Sequence, residues 1–402
     1  SCSAKIDENH SPVLCSSAEV IEYFRKFQMF KTSIQLFLVF PFICSVSRPT
    51  VKLIIDTDGV YDDIRGLTIA LTNQNVEVIA ITTVHGGVTA NQSAANVARL
   101  LRAIGKHNVP VFIGAQDSLV PKGPIQVWEE LFGSDGIGGV PDVEPKTLPS
   151  DFNSAQVGNA VDAIINLTKS TKDIILVGLG PLTNIAMAIR KDPDISKRVK
   201  QVVIMGGNYL GVGNTQFNST AEFNFLMDPE AAHIVLSSLH TTMIPWDTCF
   251  LKGPEYNEEV DYEESLNQKT KLSYFLSNIT ARGRQYNKAS GQIYAFVDDI
   301  AVSVAIDPRI AVRNMTLCSS VELKKEAVAR GQVTVDWLTT KYDIVDRAFK
   351  TSSNKNDANW LSQTFVTEYN VKRVNEMLIR AVKLSDQSTS SKLQDNIIFI
   401  AV

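Results

Sequence analysis

Three things are scarce in this 402-residue chain, and each absence narrows its function. The first is cysteine. Of five, Cys2, Cys15 and Cys44 fall in an N-terminal segment treated separately below, which leaves Cys249 and Cys318 for the rest. A chain this long can bury enough apolar surface to fold without a disulfide framework, and the spacing of these two does not decide whether they pair. The second is basic excess. Lys and Arg number 39 against 43 Asp and Glu, so the net charge is -4 and there is no electrostatic footprint for nucleic acid. The third is long apolar runs. The body holds none of the ~18 residues that a membrane-spanning helix needs, which argues against a membrane enzyme. Internal repeats and an evident domain boundary are absent as well. What remains is ordinary globular composition, 44% hydrophobic and 20% charged, enough for one large α/β domain or two small ones.

The N-terminus differs from the body. Met29-Phe30-Lys31 precedes the apolar stretch from Ile34 to Cys44, and Ser45-Val46-Ser47 follows with small residues at the positions a signal peptidase reads. A basic start, a short apolar run and a small-residue exit predict a secretory signal peptide over about residues 29–47, with residues 1–28 as an upstream extension. A buried helix or an uncleaved anchor is the alternative. Five Asn-x-Ser/Thr sequons, at Asn91, Asn166, Asn218, Asn278 and Asn314, suit a secreted glycoprotein. The fold is therefore expected within residues 48–384, followed by a polar tail over 385–402.

From Val51 the chain alternates short β-branched runs with helical patterns. Strands are predicted at Val51–Asp56, Val76–Val84, Val109–Ile113, Asp173–Val177 and Val202–Met205, with helices at Asp62–Thr72, Asn91–Ile104 and Leu182–Ile189. This order predicts an α/β fold, a single open and mostly parallel sheet flanked by helices. Ser320–Lys325 and Gly331–Trp337 add a late β-hairpin around Ala329-Arg330-Gly331. Two loops interrupt the rhythm, Ala115–Ser150 with Trp128 and the Gly/Asn-rich Asn208–Thr220. In such sheets ligands gather beyond the carboxyl ends of the strands.

The chemistry concentrates at one such end. Leu53-Ile54-Ile55 leads into Asp56-Thr57-Asp58-Gly59-Val60-Tyr61-Asp62-Asp63, four carboxylates within eight residues. Crowded carboxylates repel one another unless a cation neutralises them, and hard oxygen ligands select Ca²⁺ or Mg²⁺. Gly59 permits a tight turn, and the positive end of the following helix favours Asp62 and Asp63. A helix cap with solvated acids is the plain alternative, although a cap needs one carboxylate rather than four.

This segment resembles the Asp-x-Asp-x-x-x-Asp-Asp opening of the inosine–uridine-type nucleoside hydrolases. Further segments agree in order: Val177-Gly178-Leu179-Gly180-Pro181-Leu182-Thr183-Asn184, then Met205-Gly206-Gly207 with Gly213-Asn214, Ala221-Glu222-Phe223-Asn224 and Asp228-Pro229, then Asp298 with Ala301-Val302 and Asp307-Pro308, and last Arg330-Gly331-Gln332-Val333-Thr334-Val335-Asp336. The resemblance implies a purine nucleosidase-like enzyme, acting on a small nucleoside, with Ca²⁺ as cofactor. It implies that Asp58, Asp63 and Asp298 bind Ca²⁺ by their side chains and Leu179 by its carbonyl, and that Asp56 buttresses them. It further implies that Asp62 and Asn224 grip ribose hydroxyls, that Asn214 and Glu222 hold the sugar's outer edge, and that Asp58 serves as general base. Asp298 would also face the ribose. Neither nucleic acid nor, once the leader is removed, a membrane is an expected partner; a homo-oligomer is compatible with the sequence.

Three positions depart from the family pattern. Val297 stands where relatives place a His or Trp before the last calcium aspartate, Gly87 where Asn is frequent, and Val60 where a Pro-Gly pair is usual. Leaving-group activation is therefore unassigned by sequence. His85 could protonate a base or be an ordinary loop histidine, and Trp128 could stack on a purine or pack its loop. Trp246-Asp247 is read as structural, His233 as packed or exposed, and Tyr286 and Tyr294 as parts of a substrate lid. Two rival functions are a haloacid-dehalogenase-type Mg²⁺ phosphatase with Asp56 as nucleophile and a secreted protein that binds nucleosides without cleaving them. Loss of the His tilts the substrate toward purines.

Overall fold

The computed structural model describes residues 50–121, 128–153, 155, 158–215, 219–250, 260, 262–291, 295–337 and 361–384. The expected leader, the tail from Ser385, Tyr294 and the sequon at Asn218 lie outside them. Among the described residues no helix is long and apolar enough to cross a membrane.

The described strands are β1 (Val51–Thr57), β2 (Val76–Thr83), β3 (Val111–Ile113), β4 (Ile174–Gly178), β5 (Gln201–Met205), β6 (Thr242–Ile244), β7 (Ala311–Val321), β8 (Val333–Asp336) and β9 (Ser362–Tyr369). They form one sheet in the order β3-β2-β1-β4-β5-β6-β9-β7-β8. Pairing is parallel from β3 to β9 and antiparallel where β7 meets β9 and β8. This is the open, mostly parallel α/β sheet that the alternation predicts.

The central strands read as continuous apolar runs because both of their faces are covered. Leu53 and Ile55 of β1, Ile175 and Val177 of β4, and Val203 and Met205 of β5 join one core. The alternating residues Ile54, Ile174, Leu176, Val202 and Ile204 join the core on the opposite face. Each such side chain, fully withdrawn from water, contributes about 1.5–3 kcal/mol. The sheet thus stabilises the strands whose carboxyl ends carry polar groups.

Helix ends follow local sequence rules. Thr89 caps Ala90–Ala103 by accepting from Gln92 N at 3.2 Å, and Asn159 caps Ala160–Ser170 by accepting from Asp162 N at 2.9 Å. The long loop is fastened to the first of these helices. The buried Arg99 donates to the carbonyls of Val140, Val143 and Pro145, and Asn96 Nδ2 donates to Gly59 O and Asp135 O. Asn96 therefore ties the turn after β1 to the loop that carries Trp128.

The late hairpin forms, displaced from its expected position. Cys318–Val321 pairs with Val333–Asp336, and the strand begins back at Ala311 because its first half pairs with β9. Several elements are not among the predicted ones, including β9 and the helices Ala160–Ser170, Lys271–Ala289, Asp298–Ile306 and Val371–Leu384. Cys249 and Cys318 are both free, Cys249 buried with Sγ 3.7 Å from Pro245 O, so no disulfide joins them.

Two features position chemistry. The strand order runs away from β1 in both directions, toward β2 on one side and β4 on the other, which opens a crevice at their carboxyl ends. Helix Tyr61–Thr72, which follows β1, also lies close against helix Asp298–Ile306. A Cβ placed on Gly66 would stand 3.3 Å from Asp298 O and 3.2 Å from Val302 Cγ2. Glycine lets these helices approach, and that approach brings residues from opposite ends of the chain to one place.

Candidate active site

A cavity of about 360 Å³ opens at this crevice. Asp58, Asp62, Asp63, Leu179, Asn214, Glu222, Asn224 and Asp298 all line it. Eight of the residues named from sequence, spread over the segments that follow β1, β4 and β5 and three helices, are thereby brought together.

The acids are held by distinct devices. Asp56 ends β1 fully buried, its Oδ1 accepting from Thr82 Oγ1 at 2.5 Å and Asn184 Nδ2 at 2.8 Å, and it does not reach the cavity. Asp58 Oδ2 accepts from Gly87 N at 2.6 Å, and the Asp58 and Asp63 carboxyls interact electrostatically. Asp63 Oδ1 accepts a short hydrogen bond from Thr57 Oγ1. Helix Tyr61–Thr72 is capped by none of these acids: Val60 stands at its N-cap without a side-chain bond. The plain capping alternative therefore fails.

Space around Asp58 is tightly filled. A Cβ on Gly86 would lie 2.0 Å from Asp58 Oδ2, and one on Gly180 would lie 3.0 Å from Asp58 Cβ. A Cβ on Gly87 would meet Val60 Cγ1 at 2.5 Å. The departures at positions 60 and 87 are thus one feature: with Val60 in place, only glycine fits opposite it and still donates its N–H to Asp58.

The remaining polar residues are organised by their own backbone. Glu222 is the N-cap of helix Phe223–Met227, its carboxylate accepting from the N–H groups of Asn224, Phe225 and Gly207. Asn214 Oδ1 accepts from Phe223 N at 2.7 Å, and Asn224 Nδ2 donates to Leu179 O at 2.8 Å. The Leu179 carbonyl is thus turned toward the side chains that line the cavity.

Asp62, Asp63 and Asp298 each bring one carboxylate oxygen to within 4.8 Å of the others. The resemblance implies Asp58 in this set; Asp58 lines the same cavity next to Asp63, and the structure adds Asp62. Asp62 Oδ1, Asp63 Oδ2 and Asp298 Oδ1 are buried without a hydrogen-bond partner among the described residues. Three orphaned acceptors, all hard oxygens within 4.8 Å of one another, fit a divalent cation with oxygen preference.

Burial dominates the electrostatics. It pushes Asp56, Asp62 and Glu222 up to about 7 and Asp58 up to about 6, while Asp63 and Asp298 are raised well above the usual carboxylate range. Unfolding returns these groups to about 4. Between about pH 4 and 7 the folded, cation-free protein therefore holds more protons than the unfolded chain, and its stability falls as pH rises through that window. Asp192, held at about 2 by Lys169 and Arg198, acts below this range. In chelator the unfolding midpoint is expected to be higher at about pH 5.5 than at about pH 8. A midpoint that climbs steadily with pH would contradict this account of the acids.

The cavity has an aromatic wall as well. Trp128, Phe132, Trp246, Phe250 and Tyr286 line it, with Trp246 and Phe250 stacked at 5.7 Å and an interplanar angle of 16°. Trp128 is thus at the site. Trp246, read as structural, is a correction: it follows β6 at the carboxyl end of the sheet, the signal that located the acids and that applied here too. Its neighbour Asp247 is structural as expected, accepting from Tyr209 N and Leu210 N. His85 is also a correction. It is fully buried, its Nε2 lies 2.9 Å from Thr183 Oγ1, and it does not line the cavity, so it cannot reach a leaving base. His233 is half-buried beside Ser320 Oγ. Val297 lines the cavity and offers no proton.

The family profile of the inosine-uridine preferring nucleoside hydrolases matches residues 53–376, which includes every residue of this cluster. The chain belongs to this family. It is 40% identical over 268 residues to the inosine-uridine preferring nucleoside hydrolase of Crithidia fasciculata, covering 64% of this chain and 80% of that one. An uncharacterized protein of Schizosaccharomyces pombe is 35% identical over 199 residues, 49% of this chain and 61% of its own length. Among solved structures, an inosine-guanosine nucleoside hydrolase matches 83% of this chain and 98% of its own, with a TM-score of 0.69 and 27% identity. This nucleoside hydrolase is accordingly an enzyme that cleaves the N-glycosidic bond of nucleosides. The phosphatase alternative is not favoured, since Asp56 is sealed from the cavity that a phosphate ester would enter. A purely binding role is not favoured either.

Proposed function

We propose that the protein hydrolyses purine ribonucleosides such as inosine or adenosine to ribose and free base, with Ca²⁺ as cofactor and Asp58 as general base. The observation that carries this reading is the position of Asp58, a cavity-lining carboxylate at about 6 in contact with Asp63 of the Asp62–Asp63–Asp298 cluster. A base poised near neutral pH can take a proton from water and remain ionised in the working enzyme. Asp63 and Asp298, with Leu179 O and one further carboxylate, would hold the ion. When bound, the ion would supply the positive charge that orients the ribose diol and acidifies a water molecule.

The chain's own residues divide the rest of the work. Asp62 and Asn224 grip ribose hydroxyls, and Asn214 and Glu222 define the sugar's outer edge. The buried carboxylates stabilise the positive charge that grows on the sugar as the bond to the base lengthens. Asp56 keeps β1 in register beneath them through Thr82 and Asn184. The flat faces of Trp128, Trp246, Phe250 and Tyr286 suit a two-ring base, which supports the purine assignment. We also assign the protein to the extracellular space, supported by the leader pattern and by the exposed sequons at Asn91, Asn166 and Asn314; a mass drop on deglycosylation of material from culture medium checks it.

The direct test is initial-rate measurement with inosine, adenosine, guanosine and uridine on the wild type and Trp246→Ala. Stacking on an indole holds a base by about 1–3 kcal/mol, so Trp246→Ala is expected to raise KM for inosine by about tenfold or more and for uridine by less. Equal shifts for all four substrates would overturn the purine reading. Faster turnover of uridine than of inosine by the wild type would do the same.

A further inference from the structure

The three clustered carboxylates repel one another, and a buried ion pair bridges the two helices that carry them. Arg65 lies on the same helix as Asp62 and Asp63, and Asp299 follows Asp298 in the first turn of its own helix. Arg65 Nη2 donates to Asp299 Oδ2 at 2.8 Å, with the two side chains only 2% and 0% exposed. The same guanidinium lies 4.7 Å from the centre of the Tyr262 ring and donates weakly to Ala295 O at 3.5 Å. Asp299 Oδ2 in turn accepts from Val297 N at 3.5 Å, the residue before Asp298. Arg65 is also the one Lys or Arg among the described residues lining the cavity.

A buried pair of this kind contributes little net stability, since desolvating both ions offsets their attraction. Its geometry is the informative part. The pair joins the two helices whose close approach Gly66 permits, and one of its members is the residue next to Asp298. We propose that Arg65 and Asp299 form a positioning clamp that presents Asp298 to Asp62 and Asp63 at cation-binding distance, and so sets the affinity of the site for its divalent ion. The clamp rests on the cation reading of that cluster. Its effect on the ion is exerted through Asp298.

Charge-conserving variants separate position from charge. Arg65→Lys keeps the cation and loses the planar fork that spans Asp299 and Tyr262. Asp299→Glu keeps the anion and lengthens it by one methylene. Arg65→Met/Asp299→Leu removes both charges with little change of volume, a replacement that buried pairs often tolerate. Calorimetric titration of each metal-stripped protein with Ca²⁺ is expected to show affinity weakened by about tenfold, the range seen when residues supporting metal ligands are altered. For Asp299→Glu, a residue that does not line the cavity, activity against Ca²⁺ concentration should shift along the concentration axis by the same factor. A merely structural pair would lower the unfolding temperature and leave the Ca²⁺ titration in place. The proposal is overturned if the variants that fold, judged by circular dichroism, bind Ca²⁺ as the wild type does; the double variant keeps the test alive if either single one fails to fold. A wild type that binds no divalent cation would instead overturn the cation reading itself.

Discussion

Asp58→Asn is expected to lower kcat on inosine by about a thousandfold while leaving nucleoside binding close to its wild-type strength. Asparagine has the size of aspartate, and size matters here. Gly86 and Gly180 press against this side chain, so a bulkier or rotated group would force the loops apart. The amide oxygen can still accept from Gly87 N, as Asp58 Oδ2 does at 2.6 Å, so the loop after β2 should stay in place. What asparagine cannot do is take a proton. The variant therefore isolates basicity from shape. Steady-state kinetics give the first quantity, and calorimetric titration with inosine under single-turnover limits gives the second. Unchanged kcat would remove Asp58 from the base role. Loss of binding equal to the loss of rate would mean that Asp58 positions substrate.

Removal of divalent cations should have the other large effect. Chelation is expected to abolish hydrolysis and to lower the unfolding temperature, because an ion present at about a thousand times its dissociation constant stabilises the folded state by about 4 kcal/mol. Restoring Ca²⁺ should recover more activity than restoring Mg²⁺. Three carboxylates bring oxygens within 4.8 Å of one another, and each can offer one oxygen or two. Ca²⁺ accepts six to eight such ligands at about 2.3–2.6 Å, whereas Mg²⁺ demands a near-octahedral shell at about 2.0–2.1 Å. Equal recovery by Mg²⁺ would refute the choice of ion, and full activity in chelator would refute the ion altogether.

Much of this site was legible in the sequence because it sits at strand ends, and strand ends are marked by where apolar runs stop. Asp56, Asp58, Leu179 and the Gly206–Asn224 segment all follow such stops. Asp298 was placed by family order, and the structure delivers it through helix packing at Gly66. Trp246 follows the same rule at β6, but the order of the family segments gives the last calcium aspartate to position 298 and so leaves Trp246-Asp247 without a role. His85 is open in the sequence between proton donor and ordinary histidine, and the structure favours the second. A strand-end histidine looks reactive, but its direction was not readable, and it points to Thr183 beneath the site. The Arg65–Asp299 pair had no sequence signal of its own, since two charges 234 positions apart say nothing until the fold brings them together. The elements missed outright show the same division. Helix Lys271–Ala289 opens with a Thr270–Ser273 capping box that sequence could have supplied. β9 earns its place by slotting between β6 and β7, a long-range choice with no local mark.

Gly66 draws the first helix of the fold onto one that lies near residue 300, and the carboxylates at that junction come from both. An ion held there would be a removable crosslink across most of the chain. Closing so long a loop costs only slightly more entropy than closing a short one, because the cost grows with the logarithm of length. One ligand exchange could thus fasten early and late segments that no covalent bond joins, in a chain whose described cysteines are both free. Its durability would then follow the calcium level of its surroundings and be indifferent to their redox state.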